Sequence, residues 1–354
     1  MKKLKIGIIG FGRSGRDIHA RTFSLLPKRF KIAAVADLLD DRRREAESEF
    51  GCQVFASADA LLAARPELDL IVNATPSELH IPLSAQCLDA GFNVISEKPF
   101  GRRAADVDRI IAKAKRRKRF LAVFQQSRFA PYFQEARRVC DSGVLGRIVM
   151  VKIFFNGFAR RWDWQTLRKH SAGNLLNTGP HPVDQALHFV GRDAMPSILC
   201  VMDKLNSAGD AEDHVKLLLT RKGRPTVDLE ISSCSSYNPY TYQIYGSNGS
   251  LAGSMTHLDW KFFNPDDSPM PQLIDGPMPQ RGYCTEQLKW DEGSWEASEE
   301  AKKSLFDYMA TRYYTNIHDA MVKGAELEVK LSEVRQQIAV IEEAHRQNDF
   351  DISQ

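Results

Sequence analysis

The chain has 354 residues, 43% of them hydrophobic, and its 48 basic and 45 acidic side chains leave a formal charge of only +3. That is ample apolar material for a folded protein of two domains, and too little net charge to argue for a nucleic-acid or anionic-membrane partner. Six scattered cysteines without a CxxC pair argue against disulfide and zinc frameworks and for a reducing, cytoplasmic setting.

The opening MKKLKIGIIGFGRSG superficially resembles a signal peptide, but its apolar run of about six residues is shorter than the ~7–15 of an h-region and ends in Gly and Arg. It reads better as a buried strand over 4–9 followed by a turn. In GFGRSG, Gly10, Gly12 and Gly15 have the G-x-G-x-x-G spacing of a dinucleotide-binding turn. The glycines permit a tight turn, close backbone approach to a pyrophosphate and helix–strand packing. Phe11, Arg13 and Ser14 complete the turn. A helix (RDIHARTFSLL) and a second strand (FKIAAVAD) follow. That strand ends at Asp37, where an acid grips the adenine ribose of NAD and repels a 2′-phosphate, so NAD is expected over NADP. Asp37 also suits the start of the next helix. The run Arg42–Arg44 reads as a solvated helix face, with one of its arginines left open as a phosphate ligand.

Strand 68–74 ends in Thr75-Pro76, and a helix after it closes at Gly91. The strand FNVISEKPF, a helix over 103–118 and the strand RFLAVFQQSRF come next. Alternating strands and helices predict an α/β, doubly wound parallel sheet with its ligand beyond the carboxyl ends of the strands. Residues 10–15, Asp37, Thr75, Pro76, Glu97, Lys98, Pro99 and 125–128 all fall there. The basic run KAKRRKR (113–119) sits at a helix C-terminus, where cations suit the dipole, and reads as helix surface. After residue 145 the strand-like runs RIVMVKIFFNGF, SILCVMDKL, HVKLLLTRKGRPTVDLEISSC and YTYQIYGSNGSLAGSM predict a mostly antiparallel sheet, with RKGRP and GSNGS as hairpin turns. Helices over about 299–320 and 331–346 close the chain.

The segment NLLNTGPHPVDQALHF (174–189) carries the densest cluster of polar chemistry. With a helix starting near Thr178, Val183, Ala186, Leu187 and Val190 form a core stripe, and His181, Asp184 and His188 line the opposite side, with Asn177 joining them. A polar stripe is usually a solvated face. Two histidines and an acid without a Lys or Glu favour a cleft wall instead, with His181 exchanging a proton, Asp184 orienting it or binding a hydroxyl, and His188 structural. Zinc on this stripe is the weaker alternative, since no fourth ligand accompanies it. In the loop 156–173, Trp162 and Trp164 offer stacking surfaces, and Arg160, Arg161 or Arg168 a grip on hydroxyls or a carboxylate. A merely packed loop is equally open.

Taken in order, GFGRSG, NATPSELH, SEKPF, RFAP, GVLGRI, AGNLLNTGPHPVD and the C-terminal YYTNIHDAMVKGAELEV make the chain resemble the Gfo/Idh/MocA oxidoreductases over nearly its whole length. The resemblance implies nicotinamide-dependent chemistry on sugars, cyclic polyols or their derivatives, without a metal. It implies a Rossmann domain over 1–124 and an α+β substrate and oligomerisation domain over 125–354, whose sheet pairs copies into a homodimer or homotetramer. It implies that Thr75, Pro76, His80, Glu97, Lys98 and Gln126 line the cofactor. Oxidising a secondary alcohol sends a hydride to nicotinamide and the hydroxyl proton to a base. Lys98, partly desolvated beside a cation, is the first candidate, with His181 the second. Relatives carry aspartate where this chain has Asn177. An amide takes no proton, so any acid–imidazole relay is weakened and Lys98 with His181 must move the proton alone. The alternatives are a redox-neutral, NAD-dependent glycoside-cleaving enzyme and a non-catalytic NAD or sugar sensor.

Overall fold

The computed structural model describes residues 2–278 and 281–348. Its first sheet is six-stranded and wholly parallel, built from β1 (Leu4–Ile9), β2 (Phe30–Ala36), β3 (Gln53–Phe55), β4 (Leu70–Asn73), β5 (Val94–Ser96) and β6 (Leu121–Val123) in the order β3-β2-β1-β4-β5-β6. The apolar runs do not alternate because helices cover both faces, and β4, β5 and β6 are buried at every position. The covering helices are α1 (Arg21–Leu25), α2 (Asp40–Phe50), α3 (Ala58–Ala64), α4 (His80–Asp89) and α5 (Ala104–Arg117). A wider, π-helical segment, Ser14–Ala20, leads into α1. The short edge pair β3 and α3 had no clear pattern in the sequence.

The second sheet has eight strands: β7 (Ile148–Asn156), β8 (Ser197–Asp203), β9 (His214–Thr220), β10 (Thr226–Ser232), β11 (Tyr242–Gly246), β12 (Gly249–Gly253), β13 (His257–Phe262) and β14 (Asp291–Glu296). Their order is β14-β13-β12-β11-β7-β10-β9-β8, and only β7 with β10 runs parallel. Both predicted hairpins form, β9–β10 across 221–225 and β11–β12 across Ser247 and Asn248. Val151, Ile153, Val215, Leu217, Leu219, Val227, Leu229 and Ile231 point to one buried face. Helices α6 (Pro131–Asp141), α7 (Asn174–Asn177) and α8 (Pro180–Val190) cover that face.

The C-terminal helices return to the first sheet. The stretch predicted as one helix over 299–320 is broken at Ser304, which is extended and caps the next helix by accepting from the Asp307 amide. The products are α9 (Glu299–Lys303) and α10 (Leu305–Lys323), and α10 packs on α1. Helix α11 (Leu331–Arg346) lies against both α5 and α8 and ties the two sheets together. No helix among the described residues is long and apolar enough to cross a membrane.

Candidate active site

The glycine turn after β1 is shaped by close backbone contact. Gly10 has φ +88°, and a Cβ there would sit 2.7 Å from the Ala74 carbonyl oxygen, while one on Gly15 would collide with the Gly10 carbonyl. The turn therefore tolerates no side chain at either position, and bare backbone faces the groove at the strand ends. Asp37 lies under the turn, 8% exposed. Its Oδ2 accepts from the Phe11 amide at 2.6 Å and its Oδ1 from the Leu39 amide at 2.9 Å, so the carboxylate fixes both the turn and the approach to α2. Arg44 pairs with Asp40 and Asp41 at the helix surface, as a solvated face would, whereas Arg43 is half-buried and donates to the Asp37 and Leu38 carbonyls, both at 2.9 Å. Arg42 departs from that face. Its Nη1 stands 3.4 Å from Asp37 Oδ2, over Gly12. Arg13 is exposed.

At the end of β5, Glu97 is buried and bound from three sides. Ser14 Oγ donates to Oε1, His19 Nε2 lies 3.1 Å from the same oxygen, and the Lys98 backbone amide donates to Oε2 at 3.0 Å. Burial alone would raise the Glu97 carboxyl, but His19, the Lys98 charge and the Ser14 hydroxyl outweigh it and hold the group well below the usual carboxylate range. His19 was not singled out from the sequence. The available signal was spacing: it follows Gly15 by four positions and so shares the inner face of the helical segment. Tyr314 of α10 fixes its other nitrogen at 2.7 Å.

With Glu97 occupied, Lys98 is free of the salt bridge that was its simplest alternative role. Its Nζ donates instead to the Asn177 backbone carbonyl at 2.7 Å. Burial pushes the ammonium below its ordinary value against the opposing pull of Glu97, and Arg13 and Arg161 add repulsion. His80 is also buried. Its ring nitrogens face the Thr75 carbonyl at 2.9 Å and the Pro99 carbonyl at 2.8 Å. It thus braces the Thr75-Pro76 loop against the Lys98-Pro99 peptide, so its bearing on the groove runs through those two loops.

The 174–189 segment folds as two helices. Helix α7 ends at Asn177 and α8 begins at Pro180, whose missing N–H costs nothing in a first turn. Val183, Ala186, Leu187 and Val190 are fully buried, as expected. His181 sits beside the Lys98 strand end. Its Nδ1 lies 3.0 Å from Ser127 Oγ and 3.5 Å from Gln125 Nε2. Burial and the Lys98 charge push the imidazole down to about 3, so it is neutral. Asn177 contributes its carbonyl, whereas its carboxamide was the group expected to act.

Asp184 requires a correction. It is 1% exposed and faces no cleft. Arg128 grips it through Nε and Nη2, both at 2.8 Å, and Arg192 pairs with it as well. Arg128 continues to Glu333 of α11 at 3.0 Å. The two arginines outweigh burial and lower the carboxyl to about 2. The stripe that looked like a cleft wall is covered by α11 below its first turn, leaving only His181 at the groove. This also removes Asp184 as a metal ligand. Among the described residues no cluster of three or more His, Cys, Asp or Glu could hold a metal ion. His188 is structural as read, edge-on to Phe133 and near Arg137.

The loop after β7 divides its candidates. Trp162 is 84% exposed and Arg160 is exposed, so neither is brought to the site. Arg161 is the loop arginine whose charge reaches Lys98, and it is held by Asp163 and Gln165. Trp164 packs edge-on to His170, and His170 pairs with Glu78 at 2.8 Å. That contact pins the loop across the groove onto the segment after Thr75-Pro76. A cavity of about 530 Å³ lies away from this chemistry between Ala104, Met195 and Arg335.

These residues fit a dinucleotide. The glycine turn offers a cradle that a Cβ at Gly10 or Gly15 would fill, Asp37 lies under that turn, and Gln126 presents a buried side-chain oxygen, Oε1, without a hydrogen-bond partner among the described residues. A family model described as an oxidoreductase family with an NAD-binding Rossmann fold matches residues 4–125, and a second, the GFO/IDH/MocA C-terminal domain, matches 133–252. An uncharacterised oxidoreductase of Schizosaccharomyces pombe is 26% identical across 100% of this chain and 99% of its own. The myo-inositol 2-dehydrogenase of Thermotoga maritima is 26% identical over 70% of this chain and 74% of its own. The NADP(+) scyllo-inositol 2-dehydrogenase of Bacillus subtilis is 25% identical over 70% and 68%. Among solved structures, the WlbA dehydrogenase of Bordetella pertussis, in complex with NADH and UDP-GlcNAcA, superposes with a TM-score of 0.79 at 22% identity, covering 99% of this chain and 96% of that one.

Proposed function

The chain belongs to the Gfo/Idh/MocA family and is an NAD(P)-dependent dehydrogenase, and from that premise we propose that it oxidises a secondary hydroxyl of a sugar, cyclic polyol or sugar derivative, or runs the reverse reduction. The observation that carries this reading is the state of Lys98: a half-buried ammonium with a depressed pKa, held on the Asn177 carbonyl at 2.7 Å with its neighbouring glutamate already engaged. When bound, the nicotinamide supplies the hydride acceptor or donor. The chain supplies the proton chemistry and the positioning. In the neutral form the Lys98 amine takes the hydroxyl proton, while its remaining N–H bond to Asn177 aims the lone pair into the groove.

His181 has a different part. Gln125 Nε2 is a donor only, which biases Nδ1 toward acceptance and leaves the proton on Nε2. A neutral Nε2–H donates a hydrogen bond to the reacting oxygen and steadies its developing charge. A histidine used this way has no need of an aspartate to stabilise an imidazolium, which is consistent with Asn177. Glu97 and His80 are positioning residues that fix the loop bearing Lys98. Gln126, through its Oε1, and Asp37 would help hold the cofactor, with Asp37 favouring NAD. Relatives named for myo- and scyllo-inositol bring cyclic polyols forward as substrates.

This reading includes a homodimer or homotetramer. The sheet face opposite α7 and α8 has no cover within the described residues, and Leu199 and Val201 lie exposed on β8. The direct test is NADH formation with a panel of inositols, aldoses and their glycosides. Absence of signal from the native protein across the panel, while NADH still binds, would sink the reading. Lys98→Met should abolish turnover while NADH fluorescence titration still shows binding.

A further inference from the structure

Next to the Lys98 groove is a second cavity, of about 450 Å³, that none of the residues assigned above lines. It opens at the carboxyl end of β7 around Asn156, between the segment entering β11 and the turn joining β12 to β13. Thr178 closes it on the inner side. Thr178 directly follows Asn177, whose carbonyl holds Lys98, so the cavity begins one residue from the proposed proton-transfer site.

Its chemistry is selective. No lining residue carries a formal charge. Phe155 and Tyr240 offer aromatic surface, and Thr178, Thr241 and Ser254 offer hydroxyls. That combination suits a ring with apolar faces and a hydroxylated edge, and it lacks the Arg or Lys that a phosphate or carboxylate demands. Asn156 adds a directional requirement. Its Nδ2 donates to Glu230 Oε1 at 2.7 Å, and Lys216 pairs with the same carboxylate at 3.1 Å. A carboxylate only accepts, so the amide nitrogen must face Glu230 and Oδ1 must face away. That oxygen is buried and has no hydrogen-bond partner among the described residues. Buried acceptors in native proteins are met by a donor, and here the donor is missing.

We propose that this cavity is the subsite for a second, uncharged ring, so that the ring oxidised at Lys98 carries a glycosidic substituent whose hydroxyl donates to Asn156 Oδ1. The inference rests on the dehydrogenase reading of the neighbouring groove, but its binding can be measured without turnover. The probe is the β-glucoside cellobiose, whose two rings are both uncharged and hydroxylated, titrated into the full-length protein with NADH present and read by calorimetry or saturation-transfer NMR. Its negatively charged counterpart, the same disaccharide with a glucuronide as the substituent ring, is titrated in parallel.

The glucoside should bind at least tenfold more tightly than the glucuronide. Thr256→Trp fills the cavity from an exposed turn and Asn156→Leu removes the acceptor; each should weaken glucoside binding at least fivefold without altering NADH affinity. Asn238→Trp, from a different exposed segment, blocks the same space if Thr256→Trp fails to fold. Equal affinity in the native and blocked proteins, or preference for the glucuronide, overturns the inference. A protein that forms no NADH from any ring yet binds glucoside in this blockable way leaves the cavity assignment standing and removes the dehydrogenase reading alone. Unchanged binding in blocked variants with turnover intact does the reverse.

Discussion

At the scale of single residues, the site works by removing partners. Glu97 is saturated by Ser14, His19 and a backbone amide, so its charge steadies Lys98 without capturing the ammonium. Burial then pulls the Lys98 pKa below its ordinary 10.5. The sign of the pH effect follows. Oxidation needs the neutral amine, so kcat should rise with pH, level off once Lys98 is deprotonated, and do so below pH ~10.5. His181, held at about 3, should add no inflection between pH 5 and 8. Lys98→Arg should lower kcat by about 10²-fold or more and erase the plateau, because a guanidinium stays protonated across the range. A kcat profile from pH 6 to 10 checks all three points, and a plateau surviving in Lys98→Arg would transfer the base role elsewhere. Cofactor choice is equally local. Asp37, proposed to meet the cofactor ribose, has Arg42 3.4 Å away. Asp37→Asn removes the charge that repels a 2′-phosphate and releases Arg42 toward it, so the ratio of kcat/KM for NAD over NADP should fall at least tenfold. The glycine turn and the core stripe of α8 were legible because backbone clearance and apolar spacing force specific residue types. His19 was not, since its contacts with Glu97 and Tyr314 join segments remote in sequence, and Arg161 was named only as one of three loop arginines that could grip a hydroxyl or carboxylate, not for its charge on Lys98.

At the scale of elements, α8 shows why helical spacing is an incomplete guide. The spacing correctly placed His181, Asp184 and His188 on one side of a helix, but it carries no information on what covers that side. Arg128 lies 56 positions before Asp184, and α11 brings Glu333 from near the other end of the chain. The covered carboxylate is therefore structural. It joins the segment after β6, helix α8 and helix α11, and it sets the pitch of the helix that presents His181. Asp184→Asn leaves Arg128 and Arg192 buried with their charges poorly matched, at a cost of about 3–5 kcal/mol. Because the carboxyl titrates at about 2 in the fold against 3.8 for the free group, that stabilisation is complete above pH ~4 and is lost as pH falls toward 2. Urea melts at pH 5 and pH 8 should give the same loss for Asp184→Asn. A loss that shrinks markedly by pH 5 would mean that the carboxyl is not held ionised by its arginines. The substitution should also lower kcat more than it changes NADH affinity, because it tilts the His181 turn and leaves the glycine turn alone.

At the scale of the whole molecule, the two sheets differ in how they are covered. The parallel sheet is sandwiched by helices, and its uninterrupted apolar strands announced this in the sequence. The eight-stranded sheet alternates: β9 switches between half-buried and buried positions at every step, and β10 does so until Ser232, which is buried like Ile231 before it. Alternation says that one face is less apolar without saying whether water or a second chain meets it. The pair β13–β14 escaped sequence reading because its strands are separated by a long excursion, 263–290, and carry charged and aromatic residues together. Geometry bears on the open face. Eight strands about 4.8 Å apart and about 20 Å long present on the order of 750 Å², close to the ~800 Å² per partner of a standard stable interface. Leu199 is 61% and Val201 58% exposed there, while Lys216 pairs with Asp228 and Glu230 farther across the sheet. An apolar edge with internally neutralised charges suits a second copy of the same face, which a two-fold axis would bring into register. Light scattering should therefore give the native protein a mass of at least twice the 40.0 kDa chain at micromolar concentration. Placing like charges across the axis with Leu199→Asp and Val201→Asp together should return it to a single chain without unfolding it, since both side chains are exposed in the monomer. A native protein that runs as one chain, or a double variant that keeps its assembly, would assign this face to solvent.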